Sequence, residues 1–244
     1  MKLYGLVGKN IEYSFSRGYF NNKFKKLNIE AEYKNFDIKD IDDFMHVLND
    51  NPHLDGLNVT IPYKEQIIPF LHNIDPFADK IGAVNTIKII DNKLVGYNTD
   101  VFGFTKSIFL MIEPHHENAL VLGTGGASKA VSYALKSVGY EVSVVSRNEN
   151  IADYTYDSLN EDILKNHQLI VNCTPLGTHP NTSDCPPIPF EFVTENHLLY
   201  DLIYNPTVTT FLAQGKQHGA TIMNGEQMLN FQAEKAWRIW NEEE

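Results

Sequence analysis

Short apolar runs alternate with segments of helical period through the second half of the chain. Strands are predicted for four of these runs, “NALVLG”, “EVSVVSR”, “HQLIVNCTP” and “HLLYDLIYNP”. Between and after them, apolar residues recur at helical spacing, which predicts helices over “SKAVSYALKSVGY”, “TTFLAQGKQHG” and “EQMLNFQAEKAWRIW”. Strands that alternate with helices in this way predict a parallel sheet with helices on both faces.

The first half of the chain alternates between the same two patterns. Strands are predicted for “KLYGLVG”, “AEYKNFDI” and “LDGLNVT”, and helices for “RGYFNNKFKKLN”, “IDDFMHVLN” and “VFGFTKSIFLMI”. The stretch “TIKIIDNKLVGYNTD” predicts a β-hairpin whose turn is Asp91-Asn92. The polar segment 113–118, “EPHHEN”, contains proline and has no period, so we interpret it as a linker between two domains.

Composition and charge narrow the class of protein. A chain of 244 residues, 43% of them apolar, is long enough for one large domain or two small ones. The net charge of −11 and the lack of a Lys/Arg-rich run argue against a surface for nucleic acid or for an anionic membrane. The two cysteines have no zinc-ligand spacing and form no disulfide framework, so we expect no metal and a cytoplasmic location.

The turn “VLGTGGAS” at residues 121–128 joins a predicted strand to a predicted helix. Gly123 permits a tight turn, and Gly125 has no Cβ, so the backbone can approach a pyrophosphate. The helix, which we expect to open at Ser128, adds free N–H groups and the positive end of its dipole. This context of strand, turn and helix predicts a dinucleotide site rather than an empty turn.

The tip of the next predicted strand indicates which dinucleotide is bound. In NAD-binding proteins an acidic residue about 20 positions after the glycine turn binds a ribose hydroxyl. Here Ser146, Arg147 and Asn148 stand at the tip, and a guanidinium pairs with a 2′-phosphate where a carboxylate would repel it. NADP is therefore predicted over NAD. Glu149 weakens the basic character of this tip, and the alternative interpretation is an arginine that only faces solvent.

Polar side chains also end predicted strands or occupy turns in the first half of the chain. Each has a purely structural alternative, because Ser, Asn and Asp are common in helix caps and turns, and most lysines are on the surface. As a set they supply neutral hydrogen-bonding groups with one cation and one anion, which suits a polyhydroxylated, negatively charged ligand. The set comprises Ser14, Ser16, Asn58, Thr60, Lys64, Asn85, Asn98 and Asp100.

Eight segments, taken together, resemble the shikimate dehydrogenase family in their order and spacing. The match runs almost from end to end and is far more specific than the glycine turn alone. The segments are “SFS” (14–16), “NVTIPYKE” (58–65), “GAVNT” (82–86), “GYNTDVFGF” (96–104), “GTGGASKAV” (123–131), “NCTPLG” (172–177), “DLIYNPTVTTFL” (201–212) and “NGEQMLNFQAEKAWRIW” (224–240).

The resemblance implies an α/β fold with an N-terminal α/β substrate domain, a C-terminal Rossmann-type doubly wound parallel sheet, and a cleft between them. The domains that we expect are residues 1–100, residues 101–225, and a C-terminal helix in 226–244 that returns to the N-terminal domain. The resemblance also implies reversible NADPH-dependent reduction of 3-dehydroshikimate to shikimate, a step in the biosynthesis of chorismate and aromatic amino acids. In this family both monomers and homodimers are expected.

The family's functional residues fall on matching positions of this chain. The resemblance implies a catalytic pair at Lys64 and Asp100. It implies substrate contacts at Ser14, Ser16, Thr60, Asn85, Tyr204 and Gln232. It implies cofactor contacts at Gly123, Thr124, Gly125, Gly126, Ala127, Ser146, Arg147, Asn148, Thr174, Leu202 and Gly225.

Some positions depart from the family's usual residues. Tyr13 and Arg17 stand where His and Pro are usual, Phe20 replaces a His, and Ser146 replaces an Asn. Both residues of the catalytic pair are present nonetheless, which argues against a non-catalytic protein. Three alternatives stand beside the main interpretation. The first is a dehydrogenase acting on quinate or another hydroxy acid, the second is a non-catalytic NADP-binding sensor, and the third is a different two-domain dehydrogenase.

Overall fold

The structure, a computed structural model of the protein, describes residues 1–12 and 14–242, so the departure at Tyr13 lies outside the described residues. The chain divides into two compact units. The first comprises Met1–Thr99 with the described residues from Ala233 onwards, and the second comprises Asp100–Gln232. Each unit has a sheet of its own.

The polar segment 113–118 lies inside the second unit, so its interpretation as a linker is wrong. The chain passes from one unit to the next between Thr99 and Asp100 instead. Within the polar segment, His116 is buried, and its Nδ1 accepts a hydrogen bond from the backbone N–H of Glu113 at 2.9 Å. The segment is an ordered connection between a helix and a strand, and its sequence therefore shows neither helical nor strand periodicity.

The described residues form strands and α-helices in the following order along the chain. The strands are β1 (Lys2–Gly8), β2 (Ala31–Asp37), β3 (Leu54–Val59), β4 (Asn73–Ile74), β5 (Thr86–Ile90), β6 (Lys93–Tyr97), β7 (Asn118–Leu122), β8 (Glu141–Val145), β9 (Leu169–Asn172), β10 (Leu198–Asp201) and β11 (Thr221–Met223). The helices are α1 (Phe15–Leu27), α2 (Phe44–Asp50), α3 (Pro76–Ile81), α4 (Asp100–Ile108), α5 (Gly126–Ser137), α6 (Glu161–Asn166), α7 (Thr210–Gln217) and α8 (Glu226–Asn241).

The sheet of the first unit is mixed, with the strand order β2-β1-β3-β5-β6-β4. Strand β1 pairs in parallel with β2 and β3, whereas β5 pairs antiparallel with β3 and β6. The predicted hairpin is present. Asp91 and Asn92 adopt φ values of 49° and 60°, the left-handed conformation that a two-residue hairpin turn requires.

Apolar clusters cover both faces of this sheet. One contains Phe44 of α2, Leu57 of β3 and Ile87 of β5, all fully buried. The other joins α1 to the end of α8, with Phe24 and Trp240 packed on β1. Burial of such side chains is the main source of stability for each layer.

The sheet of the second unit is parallel throughout, with the order β11-β10-β9-β7-β8. One cluster packs α4 and α5 on one face, and a second packs residues of α6 and α7 on the other. Because its central strands are buried on both faces, their sequences are continuously apolar. The predicted doubly wound parallel sheet is therefore confirmed.

The strand order of this second sheet reverses at β7, since β8 lies on one side of it and β9 on the other. In open α/β sheets, ligands bind beyond the carboxyl ends of the strands at such a reversal. The glycine turn follows β7 directly, so the fold puts this turn at the position where a nucleotide is expected.

Candidate active site

In the first unit, three strand ends meet at one edge of the mixed sheet. The backbone N–H of Val59, at the end of β3, donates to Asn85 O at 2.8 Å. The backbone N–H of Asn85 in turn donates to Tyr97 O, at the end of β6, at 3.0 Å. The backbone N–H of Thr60 donates to Val7 O of β1 at 2.9 Å. This pairing brings the “NVT”, “AVNT” and “YNTD” segments together.

Lys64 follows β3 by a short turn and is half-buried. Its backbone carbonyl accepts a hydrogen bond from Val84 N at 2.7 Å, which ties it to the segment just before Asn85. The preceding residue, Tyr63, is buried, and its hydroxyl donates to Ile38 O at 2.9 Å. The turn that carries Lys64 is therefore anchored on both sides of the lysine.

The start of α1 carries the two predicted serines. Ser14 is the N-cap of this helix, and its hydroxyl accepts a hydrogen bond from Ser16 N at 3.2 Å. The structural role that the sequence allowed for Ser14 is therefore present. Ser16 is buried. Gly8, at the end of β1, packs against Thr60, since a Cβ at Gly8 would lie 2.5 Å from Thr60 Cγ2.

Buried polar residues lie around Asn85, and of these Tyr33, Thr86 and Thr99 were not singled out from the sequence. Asn85 Oδ1 accepts hydrogen bonds from Thr99 N at 2.8 Å and from Thr86 Oγ1 at 3.1 Å. Thr86 Oγ1 also accepts from Asn58 Nδ2, and Asn58 Oδ1 accepts from the hydroxyl of Tyr33. The repeated Asn-Thr pairs in “AVNT” and “YNTD” were the available signal, since paired polar residues within apolar runs need buried partners.

In the second unit, the glycine turn has the conformation that its sequence predicts. Gly123 has φ 106°, a value that favours glycine. Helix α5 begins at Gly126 with Gly125 as its N-cap, so the predicted start at Ser128 is wrong by two residues. Ser128 lies within the first turn, where its hydroxyl donates to Gly123 O at 2.5 Å and closes the glycine turn.

The N-terminus of α5 is open to a ligand. No side chain caps the helix at Gly125, which is exposed. Apart from its chain neighbours, a Cβ built on Gly125 would meet no described atom within 4 Å, so the backbone is open on the side where a side chain would lie. The first N–H groups of a helix have no partner within the helix and attract anions. These residues fit the pyrophosphate of a dinucleotide.

The tip of β8 carries the residues predicted to select the nucleotide. Ser146 Oγ accepts a hydrogen bond from Asn148 N at 3.2 Å, and Asn148 Oδ1 caps the next turn through Asn150 N at 3.1 Å. Arg147 is exposed. Burial raises the pKa of Tyr156, whereas the charge of Arg147 lowers it, which indicates that the guanidinium lies near this phenol.

Thr174 is held at the carboxyl end of β9 by two residues that the sequence analysis missed. Asn172 Oδ1 accepts from Thr174 Oγ1 at 2.7 Å, and Asn172 Nδ2 donates to Asp201 Oδ1 at 3.0 Å. Asp201 is fully buried, and burial raises the pKa of its carboxyl to about 6. Its other oxygen accepts from Thr209 Oγ1 at 2.6 Å. An acidic residue at the end of an apolar run was the signal for this cluster.

Two residues expected to contact the cofactor, Leu202 and Gly225, lie together. Gly225 N donates to Ile203 O at 3.1 Å, and Gly225 packs against the Leu202 carbonyl so closely that no Cβ could fit. Tyr204 follows in the same loop and is half-buried. The loop after β10 is thereby fixed against the segment that precedes α8.

Asp100 and Gln232 are both buried in the second unit. Asp100 is the first residue of α4, and Gln232 lies on α8, where its Nε2 donates to Leu229 O at 2.9 Å. Gly103 brings the two helices close, since a Cβ there would lie 2.7 Å from Met228 O and 3.0 Å from Gln232 Cβ. The helices that carry these two side chains are therefore in direct contact.

The predicted site residues fall into two groups, one in each unit. In the first unit, Thr60, Lys64 and Asn85 lie where the strands of the mixed sheet end. Ser14 and Ser16 lie at the start of α1, the helix that follows β1. The second unit holds Asp100, Tyr204, Gln232 and the predicted nucleotide residues. Across the described residues, no cluster of three or more His, Cys, Asp or Glu side chains is arranged to hold a metal ion. No described helix has the length and apolar character needed to cross a membrane.

The chain is similar to known proteins over nearly its whole length. Residues 6–87 match the family model of the shikimate dehydrogenase substrate binding domain. The shikimate dehydrogenase (NADP(+)) of Clostridium botulinum strain Hall is 44% identical over 97% of this chain and 95% of its own.

Solved structures give the same result. Shikimate dehydrogenase 1 of Peptoclostridium difficile is 38% identical, with a TM-score of 0.85 over 100% of this chain and 93% of its own. The shikimate 5-dehydrogenase of Thermus thermophilus, in complex with NADP(H) and shikimate, is 30% identical, with a TM-score of 0.88 over 99% and 94%.

Proposed function

The chain belongs to the shikimate dehydrogenase family, and we propose that it catalyses the reversible NADPH-dependent reduction of 3-dehydroshikimate to shikimate. The observation that carries this proposal is 44% identity with an NADP-dependent member over nearly the full length of both chains. The resemblance in the eight sequence segments is thereby confirmed at the level of the family. In the cell, the reaction would serve the biosynthesis of chorismate and aromatic amino acids.

The second unit supplies residues that fit NADP. The turn Gly123–Ala127 and the open end of α5 would hold the pyrophosphate. Ser146, Arg147 and Asn148 would bind the ribose phosphate, with Arg147 as its cation. Thr174, Leu202 and Gly225 would complete the site near the nicotinamide. When bound, NADPH supplies the hydride that reduces the ketone.

Lys64 is assigned the proton transfer. A ketone oxygen gains negative charge during reduction, and an ammonium group within hydrogen-bonding distance both stabilises this charge and donates a proton. In the oxidation of shikimate, the same amine accepts the proton of the hydroxyl. Asp100 is assigned to orient Lys64 and to hold a substrate hydroxyl, since a carboxylate favours the charged form of a nearby lysine.

The remaining polar residues are assigned to substrate binding. Ser14 and Ser16 would donate hydrogen bonds to the substrate carboxylate without a buried positive charge. Thr60, Asn85, Tyr204 and Gln232 would contact its hydroxyl groups. The burial of Ser16, Asn85 and Gln232 supports this assignment, because buried polar groups are ordered and have few competing water contacts.

A spectrophotometric assay of shikimate oxidation with NADP, read at the nicotinamide absorbance, tests the proposal. Lys64→Ala should lower turnover by at least about tenfold, a barrier increase of about 1.4 kcal/mol or more. Lys34→Ala is the matched control, because Lys34 is an exposed lysine that forms a surface pair with Glu32 at 3.3 Å. A smaller loss in Lys64→Ala would remove Lys64 from the proton-transfer role, and no turnover by the wild type would reject the activity.

The same assay separates the related hydroxy acids. Quinate carries one more ring hydroxyl than shikimate and lacks its ring double bond, and a site distinguishes the hydroxyl through a few polar contacts. Rates with shikimate and with quinate, each with NADP and with NAD, define the substrate and the cofactor. A higher kcat/KM for quinate would move the chain to a quinate-active branch of the family.

We also assign the protein to the cytoplasm, as a monomer or a homodimer. Neither Cys173 nor Cys185 forms a disulfide, which suits a reducing compartment. Sedimentation velocity would distinguish the monomer from the homodimer.

A further inference from the structure

Two backbone groups fix the orientation of two buried amide side chains in the first unit. Thr99 N lies 2.8 Å from one terminal atom of Asn85, and a backbone N–H can only donate. That atom must be the oxygen Oδ1. Asn58 Nδ2 lies 3.3 Å from the backbone carbonyl of Asn85, and a carbonyl can only accept. The atom of Asn58 that faces this carbonyl must therefore be its nitrogen.

These two orientations determine the direction of the hydrogen bonds between them. Because Asn58 presents its nitrogen to Asn85 O, its oxygen faces the hydroxyl of Tyr33, which donates to it at 2.8 Å. Asn58 Nδ2 also donates to Thr86 Oγ1 at 3.2 Å. Thr86 Oγ1 lies 3.1 Å from Asn85 Oδ1 and 3.4 Å from Thr99 Oγ1, and its hydroxyl hydrogen is assigned to the nearer oxygen, Asn85 Oδ1. This relay of hydrogen bonds runs in one direction, from Tyr33 to Asn85.

The residues of this relay are buried, since Tyr33, Asn58, Thr86, Asn85 and Thr99 are each at most 5% exposed. In such a site, a donor or acceptor that loses its partner finds no water to replace it. Reversal of the Asn85 amide would place an N–H group against Thr99 N and against the Thr86 hydrogen. The surroundings therefore allow one orientation of this side chain.

Tyr33, at the start of the relay, is itself held from several sides. Asn21 donates to Tyr33 O and accepts from Tyr33 N, both at 2.9 Å. The ring of Phe20 stacks on that of Tyr33, with centroids 4.7 Å apart and planes at 12°. Burial raises the pKa of Tyr33, although the neighbouring Ser16 hydroxyl opposes this rise. The phenol thus stays neutral and keeps its hydrogen for Asn58.

We propose that Tyr33, Asn58 and Thr86 are positioning residues that fix Asn85 as a hydrogen-bond donor toward the substrate. With Oδ1 engaged by Thr99 N and Thr86, the group that Asn85 offers is its amide nitrogen, which also donates to Thr99 Oγ1 at 2.9 Å. The substrate oxygen that this nitrogen recognises must then act as an acceptor. The inference rests on the proposed function, in which Asn85 contacts the substrate.

Thr86→Val tests the relay with little change in volume. It removes the hydrogen that Thr86 donates to Asn85 Oδ1, and we expect KM for shikimate to rise about fivefold or more, while kcat and KM for NADP change less than about twofold. Thr86→Ser restores a hydroxyl and should return KM for shikimate to near the wild-type value. A residue with a merely structural role would lower thermal stability without this split between KM and kcat.

Tyr33→Phe tests the far end of the relay and has a matched control. We expect KM for shikimate to rise by about twofold to fivefold, because Asn58 Oδ1 loses its donor. Tyr200→Phe removes the hydroxyl of another fully buried tyrosine, which lies 2.8 Å from Ser107 Oγ in the second unit. It should lower stability comparably and leave KM for shikimate unchanged.

Hydrogen exchange of the Asn85 side-chain amide, followed by NMR, separates this inference from the proposed function. Exchange should be about tenfold faster in Thr86→Val than in the wild type, with or without turnover of shikimate. If the wild type does not oxidise shikimate, the proposed function fails, and the exchange rate still decides the positioning role. Unchanged exchange in Thr86→Val, or unchanged KM for shikimate in both Thr86→Val and Tyr33→Phe, would overturn the inference.

Discussion

Lys23 Nζ on α1 lies 2.6 Å from Glu234 Oε2 on α8, although 211 positions separate the two residues in the chain. The same ammonium is 2.7 Å from Oε1 and 5.7 Å from the centre of the Trp237 ring. The hydroxyl of Tyr19 donates to this carboxylate as well. Burial would raise the pKa of Glu234, but the hydrogen bonds from Lys23 and Tyr19 lower it overall. This cluster fixes α8 against α1 within the first unit.

Glu234→Gln should lower the free energy of unfolding by about 1 kcal/mol, because it replaces charge-assisted hydrogen bonds by neutral ones and the carboxylate is partly exposed to solvent. Urea denaturation measures the change. Glu32→Gln is the control, since it removes an exposed pair with Lys34 at 3.3 Å and should change stability by less than about 0.5 kcal/mol. Equal losses in the two variants would show that the Lys23–Glu234 pair adds nothing beyond a surface contact.

Gly56→Ala should destabilise the first unit strongly. Gly56 lies in β3 directly beneath Trp240, whose Nε1 donates to Ile87 O at 3.0 Å, and an added Cβ would overlap that nitrogen. Overpacking together with the loss of this hydrogen bond should cost about 3 kcal/mol. Thermal unfolding measures the loss.

Gly18→Ala should have the opposite effect, because a Cβ at Gly18, near the start of α1, meets nothing within 4 Å. It should stabilise the protein by about 0.5–1 kcal/mol.

Arg147→Gln should weaken the binding of NADP and leave the binding of NAD unchanged. If the exposed guanidinium binds the 2′-phosphate, KM for NADP should rise about tenfold, the loss expected for one charge-assisted hydrogen bond. KM for NAD, which lacks this phosphate, should stay within about twofold. Steady-state rates with each cofactor provide the test, and Arg238→Gln, at an exposed arginine of α8, should change neither value. Equal changes in KM for NADP and KM for NAD would show that Arg147 only faces solvent and does not bind the 2′-phosphate.

The fold was predictable from the sequence because its signals are local. Apolar runs mark the buried strands, and the glycines of the turn 123–126 mark the crossing from β7 to α5. The start of α5 was misplaced at Ser128, because Gly125 itself serves as the N-cap with φ −79° and ψ −179°. Sequence patterns assign glycine to turns and give no sign that it also caps the helix that follows.

The candidate site was predictable only in part, because its supporting contacts join distant segments. Lys64 and Asn85 could be singled out as polar residues at strand ends. The partners that orient Asn85 come from β2, β3 and β5, and their proximity follows from strand pairing that no local pattern contains. In the same way, the contact of Asn172 with Asp201 depends on the pairing of β9 with β10.

His197→Asn should reduce the loss of stability in acid. His197 Nδ1 accepts from Thr194 N at 3.0 Å and its Nε2 donates to Leu164 O at 3.0 Å, so the neutral ring satisfies both partners. Burial lowers its pKa below the ordinary value of 6.5. A lowered histidine pKa favours the folded state at high pH, and this stability is lost as the pH falls through the unfolded value.

Urea denaturation from about pH 8 to about pH 5 measures this effect. His197→Asn should start at a lower stability, and the advantage of the wild type over this variant should shrink as the pH falls. His53→Asn, at an exposed histidine, should follow the wild-type slope. Parallel curves for all three proteins would show that His197 takes no part in the acid response.

Asp201→Asn should show the opposite dependence on pH. The buried Asp201 carboxyl has a pKa of about 6 in the folded state, raised by burial above the ordinary 3.8. Between these values the folded state binds the extra proton at Asp201, so the contribution of this residue to stability falls as the pH rises, by up to about 3 kcal/mol. The stability of Asp201→Asn relative to the wild type, from urea denaturation, should therefore increase from about pH 4 to about pH 8. Asp50→Asn, at an exposed carboxylate, should show the same dependence of stability on pH as the wild type. A constant difference in stability between Asp201→Asn and the wild type would mean that the Asp201 carboxyl is ionised throughout this range.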